Sequence, residues 1–295
     1  MASLLLARAS RDDRLGRRNL ALHQPPRIWS SGRGGRILKL MLPILTIDIG
    51  NTTAHVGAFD NGRVVFSFRF ASTHTRTIDE AALLLKQVML DAKIDPHGLD
   101  GAIICSVVPV LTPVVSAAVE KVTGKTSLLV GPKSKLSVRI DVDTPEQVGA
   151  DRIANAEAFW VENRCAGIVV DFGTATTFDV ISAEGAYCGG AIAPGVETSA
   201  ERLSLKGAQL FKVAMGEPAS PIGRTTEEAL RSGLYYGTIG AVDETVRRIA
   251  AAMGGSPKVV ATGGLAALIA PGSKTIQSVD PVLTLKGLLS IYRNA

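Results

Sequence analysis

Leu45, Ile47 and Ile49 alternate with Thr46 and Asp48, and the run ends in Gly50-Asn51-Thr52-Thr53. Period two predicts a buried strand, and the glycine with small polar residues predicts a tight turn after it. A second strand follows at about 55–59. Asp60-Asn61-Gly62-Arg63 is a hairpin signal and 64–70 alternates in part, so 44–70 reads as a three-stranded meander. Residues 78–92 carry apolar side chains at 81, 82, 84, 85, 88 and 89, with Asp79 and Glu80 in the first turn, the spacing of an amphipathic helix. A strand at 101–106, a helix at 111–123 and a strand at 127–130 complete a β-β-β-α-β-α-β series.

The pattern then restarts. Strands are expected at 167–171, 176–182 and 186–192, and helices at 195–205 and 226–253, the second relieved by Gly233, Gly237 and Gly240. A strand at 258–261, a short helix at 265–270 and a closing helix at 283–292 finish the chain. Between the halves, 146–164 reads as one helix after the Pro145 turn. The repeat is one of arrangement more than of sequence. It divides the chain into a half at 41–148 and a half at 149–295, behind an extension at 1–40.

Charge sharpens that division. Residues 1–40 hold nine Arg or Lys against Asp12 and Asp13, a net +7, which leaves −2 for residues 41–295 of the chain's +5. The basic character belongs to the extension, so it is a poor argument for nucleic-acid binding. Pro25-Pro26 and Gly32-Arg33-Gly34-Gly35 predict disorder there. Leu4-Leu5-Leu6 is too short for a signal-peptide core. Met41 is the expected first residue, and an upstream start codon is favoured over an organelle transit peptide. Cys105, Cys165 and Cys188 show no paired spacing, and four histidines (His23, His55, His74, His97) show no zinc pattern. No apolar run is long enough to cross a membrane. A reduced, cytoplasmic protein is expected.

The turn after the first strand has a partner 123 residues on, Val169-Val170-Asp171-Phe172-Gly173-Thr174-Ala175-Thr176-Thr177. An acid at a strand end can hold a hydrated metal, the glycine lets phosphate approach the backbone, and the hydroxyls and amide can donate to it. One such turn is ordinary turn chemistry; two suggest half-domains facing one nucleotide. There is no Walker-type Gly-x-x-x-x-Gly-Lys-Ser/Thr. The order of elements resembles the ribonuclease-H-like half-domain of the actin, Hsp70 and sugar-kinase superfamily, an α/β fold with an ATP cleft between duplicated halves.

Five segments together resemble type III pantothenate kinases, from about residue 44 to 292. They are Asp48-Ile49-Gly50-Asn51-Thr52, Ser106-Val107-Val108-Pro109, Gly149-Ala150-Asp151-Arg152, Asp171-Phe172-Gly173-Thr174-Ala175-Thr176-Thr177 and Ala261-Thr262-Gly263-Gly264-Leu265. The resemblance implies ATP-dependent phosphorylation of pantothenate to 4′-phosphopantothenate, the first step of coenzyme A biosynthesis, by a homodimer with a shared active site. It implies ATP binding by Asp48, Ile49, Gly50, Asn51, Thr52, Thr53, Ala54, His55 and Thr174, with Mg2+ carried by the nucleotide. The rings of His55 and His74 are read as structural. Asp171 is implied to hold a monovalent cation, K+ or NH4+. Gly149, Ala150, Asp151 and Arg152 are implied to bind pantothenate, Asp151 as general base and Arg152 as a bidentate partner of the substrate carboxylate. Thr226 is implied to reach the neighbouring subunit's pantothenate site, while one of Thr225 and Thr226 also caps the long helix. Ala261-Thr262-Gly263-Gly264 reads equally as an adenosine contact or as a plain strand-helix turn. Thr73, Thr77, Asp79 and Glu80 match a family pattern without a firm chemical role. Two departures stand out: Val142 where the family often has Tyr, and Cys105 where Ser is usual, the latter expected to matter little. A kinase of sugars or other hydroxyl compounds on the same scaffold is the alternative enzyme. A transcriptional accessory factor is the alternative of another class, and no DNA-reading motif supports it.

Overall fold

The computed structural model describes residues 42–131, 133–206 and 213–295. The expectations for the extension, and for Met41 as first residue, lie outside the described residues. The first half runs β1 (Ile44–Ile49), β2 (Thr53–Asp60), β3 (Arg63–Ala71), α1 (Ile78–Asp91), β4 (Gly101–Ser106), α2 (Thr112–Thr123) and β5 (Ser127–Leu129). Then come β6 (Arg139–Ile140), α3 (Ala150–Asn163), β7 (Gly167–Phe172), β8 (Ala175–Ile181), β9 (Ala186–Pro194), α4 (Val196–Lys206) and α5 (Thr226–Met253). The chain ends with β10 (Lys258–Gly263), α6 (Ala266–Ile269), β11 (Ser278–Val279) and α7 (Leu283–Asn294).

Two sheets share one plan. The first has the order β3-β2-β1-β4-β5; the second has β9-β8-β7-β10-β11 with β6 added beside β9. Each is an antiparallel meander whose first strand also pairs in parallel with the strand after a helix. This is the duplicated ribonuclease-H-like arrangement. The β2–β3 hairpin turns on Asn61 (φ 48°) and Gly62 (φ 80°), both left-handed as such a turn requires.

Period two decides which way each strand faces. Leu45, Ile47 and Ile49 pack with Ala81, Leu85 and Met89 of α1 and Val115 and Val119 of α2. Ile44 faces the other way, where Leu285, Leu288 and Leu289 of α7 cover the sheet together with Ala154 of α3. In the second sheet Ile168, Val170 and Phe172 pack on Tyr235, Ile239 and Val242 of α5, and Val169 faces Ala156 and Phe159 of α3. Helices α3 and α7 therefore lie between the sheets. Gly287 permits their close contact, since a Cβ there would collide with the carbonyl of Ala154. Asp48 and Asp171, one residue out of step with the apolar sets, both face this central layer.

The expectation of one helix over 146–164 needs correction. Pro145–Gln147 forms a single 3-10 turn, Val148 and Gly149 are extended, and α3 starts at Ala150. The break puts Asp151 in the first helical turn, and a Cβ at Gly149 would lie 2.5 Å from Asp151 Oδ1, so a larger residue there would displace that carboxylate. The two-residue strands β6 and β11 are too short for a periodicity to reveal. With β6 the chain enters the second sheet ahead of residue 148, and with α7 it returns to cover the first. Thr77 and Glu80 serve the structure, forming a reciprocal capping box at α1, and Asp79 pairs with Lys121 of α2 at 2.6 Å. Among the described residues no helix is long and apolar enough to span a membrane.

Candidate active site

The pairing register lines up chemistry across the strands. Asp48 on β1 sits opposite His55 on β2, His55 opposite Arg69 on β3, and Asp48 beside Cys105 on β4. In the second sheet Asp171 on β7 sits opposite Thr177 on β8, Thr177 opposite Ile192 on β9, and Asp171 beside Thr262 on β10. Directly paired residues share a face, so each sheet presents one row. The rows border a cleft of about 320 Å³. Asp48, Gly50, Asn51, Thr52, Thr53, His55, Gly149, Asp151, Arg152, Asp171, Gly173, Thr174, Gly263 and Gly264 all line it.

Not every expected residue is there. Ile49 and Ala54 are fully buried, and Ile49 belongs to the core under α1 and α2, so their side chains take no part in the cleft. Ala150 packs beside α7. Thr225 is the cap of α5, accepting from the Glu228 N–H while the Glu228 carboxylate accepts from the Thr225 N–H. Thr226 is exposed at the first helical position and is not among the residues lining this chain's cleft. Val142 is half-buried and packs against the core beside α3.

The two Asp-x-Gly turns close alike: Gly50 N–H donates to Thr53 O at 3.1 Å, and Gly173 N–H to Ala175 O at 3.0 Å. The Thr52 and Thr174 hydroxyls share a 2.9 Å hydrogen bond, which joins one turn to the other. Gly263 (φ 91°) presses against the second turn; a Cβ there would lie 2.5 Å from Asp171 Oδ1 and 2.6 Å from Phe172 N. Only glycine fits that left-handed approach.

Three carboxylates face the cleft. Burial first, then the charge of Asp151, pushes Asp48 up to about 7, against a hydrogen bond from Cys105 Sγ at 3.1 Å. Burial pushes Asp171 up to about 6, against the Asn155 amide, which donates at 2.9 Å. Thr284 in turn donates to Asn155 Oδ1 at 2.7 Å. Asp151 is raised by burial and held back by the Arg152 backbone N–H at 2.8 Å. Desolvated acids facing one another favour a cation between them. All three supply hard oxygen donors, which fits Mg2+ and alkali-type cations. Among the described residues no three ligating side chains close into a protein cage.

Sequence reading missed four residues here. Arg69 lines the cleft and donates to His55 Nδ1 at 3.1 Å and to Pro281 O at 3.3 Å. His55 Nε2 then donates to Ser67 Oγ at 2.6 Å, and burial with the Arg69 charge lowers the ring's pKa to about 4. The ring is thus a neutral spacer, and Arg69 has no carboxylate partner among the described residues. Asn155 and Asp179 are the second and third, Tyr187 the fourth. Arg152 Nε donates to Asp179 Oδ1 at 2.6 Å, so one edge of the guanidinium is committed before any substrate arrives. Burial pushes Asp179 up to about 7 while Arg152 pulls against it. A lone acid in the apolar run Phe178-Asp179-Val180-Ile181, and an arginine between Phe68 and Phe70, were the available signals.

The type III pantothenate kinase profile matches residues 44–248. A type III pantothenate kinase of Pelobacter propionicus (strain DSM 2379) is 44% identical over 249 residues, which is 84% of this chain and 98% of that protein. One of Dehalococcoides mccartyi (strain ATCC BAA-2266) is 45% identical over 250 residues, 85% of this chain and 97% of that protein. Among solved structures, a Campylobacter jejuni protein assigned to the Baf family of transcriptional activators aligns with TM-score 0.53 at 21% identity, over 84% of this chain and 97% of its own. A Sinorhizobium meliloti protein assigned as a 2-dehydro-3-deoxygalactonokinase also reaches 0.53, at 14% identity, over 85% and 96%. These two likenesses speak for the fold. The profile and the close relatives span both turns and Asp151 between them, so the chain belongs to the type III pantothenate kinase family.

Proposed function

We propose that the cleft transfers the γ-phosphoryl group of ATP to the primary hydroxyl of pantothenate, giving ADP and 4′-phosphopantothenate. The observation that carries this reading is the convergence of Asp48, Asp171 and Asp151 between two Asp-x-Gly turns. Phosphoryl transfer asks chiefly for positioning and charge neutralisation, which such a cleft is built to supply. The Gly50 and Gly173 turns hold the phosphates, with Thr52 and Thr174 as donors. Asp48 would hold the divalent ion that travels with ATP, and Asp171 would hold a monovalent one. The divalent ion offsets the charge of the transferring group. Asp151, at the start of α3, orients the hydroxyl and receives its proton. Its raised pKa moves it toward the range where a base works near neutrality. Arg152 meets the substrate carboxylate, a role that a neutral sugar would leave empty. Three unpaired cysteines fit a reducing, cytoplasmic setting.

The direct test is coupled ADP release from ATP with pantothenate, with and without K+. Absence of pantothenate-dependent ADP sinks the reading. Exposure of Thr226 outside its own chain's cleft supports a homodimer in which it completes the partner's site. Heterodimers of an Asp151→Asn subunit and a Thr226→Ala subunit should regain activity that both parent homodimers lack. No recovery in verified heterodimers would argue for a self-contained site.

A further inference from the structure

Asp179 is fully buried in the middle of β8, two residues below Thr177 on the same face. Its Oδ1 accepts from Arg152 Nε at 2.6 Å and from the Tyr187 hydroxyl at 3.2 Å, and its Oδ2 from Thr177 Oγ1 at 3.4 Å. Arg152 Nη2 lies 3.5 Å from Phe178 O. The guanidinium carbon sits 5.8 Å from the centre of the Tyr187 ring. Opposite Asp179 on β9 stands Gly190, where a Cβ would lie 3.2 Å from Arg152 Nη2 and collide with Phe178 O. The second sheet thus leaves a slot through which one arginine reaches one buried acid.

A guanidinium has five N–H donors in a rigid plane. Here Nε and one N–H of Nη2 are turned into the sheet. Nη1 and the remaining N–H of Nη2 form the opposite edge, and Nη1 makes no hydrogen bond among the described residues. A buried ion pair adds little net stability over apolar side chains of the same volume, so stability is a poor account of this one.

We infer that Asp179, steadied by Tyr187, is a positioning residue that presents the free edge of Arg152 to a carboxylate, and so makes the site select an acidic substrate over its uncharged analogue. The inference rests on the cleft being a pantothenate site. Two effects of Asp179→Asn oppose each other. Long-range charge predicts tighter carboxylate binding, because an anion near Arg152 is gone. Loss of the charge-assisted anchor predicts weaker binding, because the planar fork is no longer held. Asp179→Asn leaves an acceptor but removes the charge assistance that fixes the planar fork, and bidentate binding needs that plane held, so the anchor dominates.

The experiment compares pantothenate with its primary-alcohol analogue, in which the carboxylate is replaced by CH2OH. In Asp179→Asn the KM for pantothenate should rise about tenfold with kcat within about threefold, as expected for lost substrate binding without lost transition-state chemistry. The KM for ATP, and kcat/KM for the alcohol, should stay within about threefold, so the preference for the acid collapses. Tyr187→Phe should move the same ratio the same way by about threefold, since one hydrogen bond to the Asp179 carboxylate is removed while the Arg152 pair stays. A lower or unchanged KM for pantothenate in folded Asp179→Asn overturns the inference. So does an equal loss with both substrates, which marks a merely structural pair. Should Asp179→Asn fail to fold by thermal melting, Tyr187→Phe decides by the same two-substrate ratio. A wild-type enzyme inert toward pantothenate would instead overturn the functional reading itself.

Discussion

Asp48 and Asp171 occupy equivalent places in the two sheets, at the end of a central strand and one turn from a glycine, yet their neighbours differ in kind. Asp48 has a buried thiol on one side and a neutral imidazole on the other. Asp171 has two threonines in its row and a carboxamide, itself held by Thr284, donating at 2.9 Å. A thiol is a weak donor and an amide a good one. Burial drives both acids up; at Asp48 the charge of Asp151 outweighs the thiol, at Asp171 the amide outweighs that charge, and Asp48 is driven further, to about 7 against about 6. Duplication of the fold has therefore kept the backbone device and varied the electrostatics. The first acid depends more on whatever cation arrives, and the second is better prepared to remain charged without one.

Replacing each acid by its amide should give the largest effects and expose the difference. Asp48→Asn should lower turnover about 10²–10³-fold, the scale of losing one charge-stabilising contact on a transferring phosphoryl group. Its residual activity should still respond to K+. Asp171→Asn should lose less, about 10–100-fold, and its residual activity should no longer respond to K+. Steady-state kinetics across a K+ titration read both. Identical cation responses in the two variants would erase the proposed division of labour between the turns.

How much of this was visible beforehand follows from the length scale of each signal. Period two in Leu45–Ile49 and in Val169–Phe172 turned both acids out of step with the core, so the facing turns could be read from the chain. The break at Gly149 was marked only by that one glycine in an otherwise helical composition from Glu146 to Arg164, and the interruption comes from backbone geometry at two residues. Asp179 and Arg69 were hidden for another reason. Their partners, Arg152 and Pro281, are 27 and 212 residues away in sequence, and only the tertiary fold brings them together. Thr77 and Glu80 matched a family pattern without a chemical role, and the helix cap they form accounts for them.

A smaller effect appears in stability. An acid whose folded pKa lies above its unfolded value near 3.8 stabilises the protonated fold, and that stability is lost as pH rises through the folded value. Without nucleotide or added cations, Tm should therefore fall as pH rises from about 4 through the value of Asp48 near 7 and then level off, and the last of that fall, above about pH 6.5, is the part that His55 does not oppose. His55 has the opposite sign, since its lowered value removes stability only as pH drops from about 6.5 toward 4. The window above about pH 6.5 thus belongs to the acids. Asp48→Asn should flatten the fall there more than Asp171→Asn, whose contribution is largely spent by about 6. Mg2+ together with ATP should raise the wild-type Tm at about pH 8. Equal slopes in wild type and Asp48→Asn would show that Asp48 is not the strained acid.

The finest test concerns Cys105, whose sequence swap for Ser promised little consequence and whose Sγ turns out to touch Asp48 Oδ1. The thiol is fully buried, so no water substitutes for the donor. A hydroxyl donates more strongly than a thiol and should favour the ionised carboxylate. Cys105→Ser should accordingly make the decline of Tm above about pH 6.5 shallower than in wild type, and bring the first turn closer to the second in behaviour. Cys105→Ala removes the donor and should make it steeper, at a cost in overall stability of about 1 kcal/mol for the lost hydrogen bond. The slope, not the absolute Tm, carries the test, because repacking shifts Tm at every pH alike while the donor acts only on the charged form. An order other than Ala steepest, wild type intermediate and Ser shallowest would mean that burial and the neighbouring charges set Asp48, and that the contrast between the two turns does not come from the groups that donate to them.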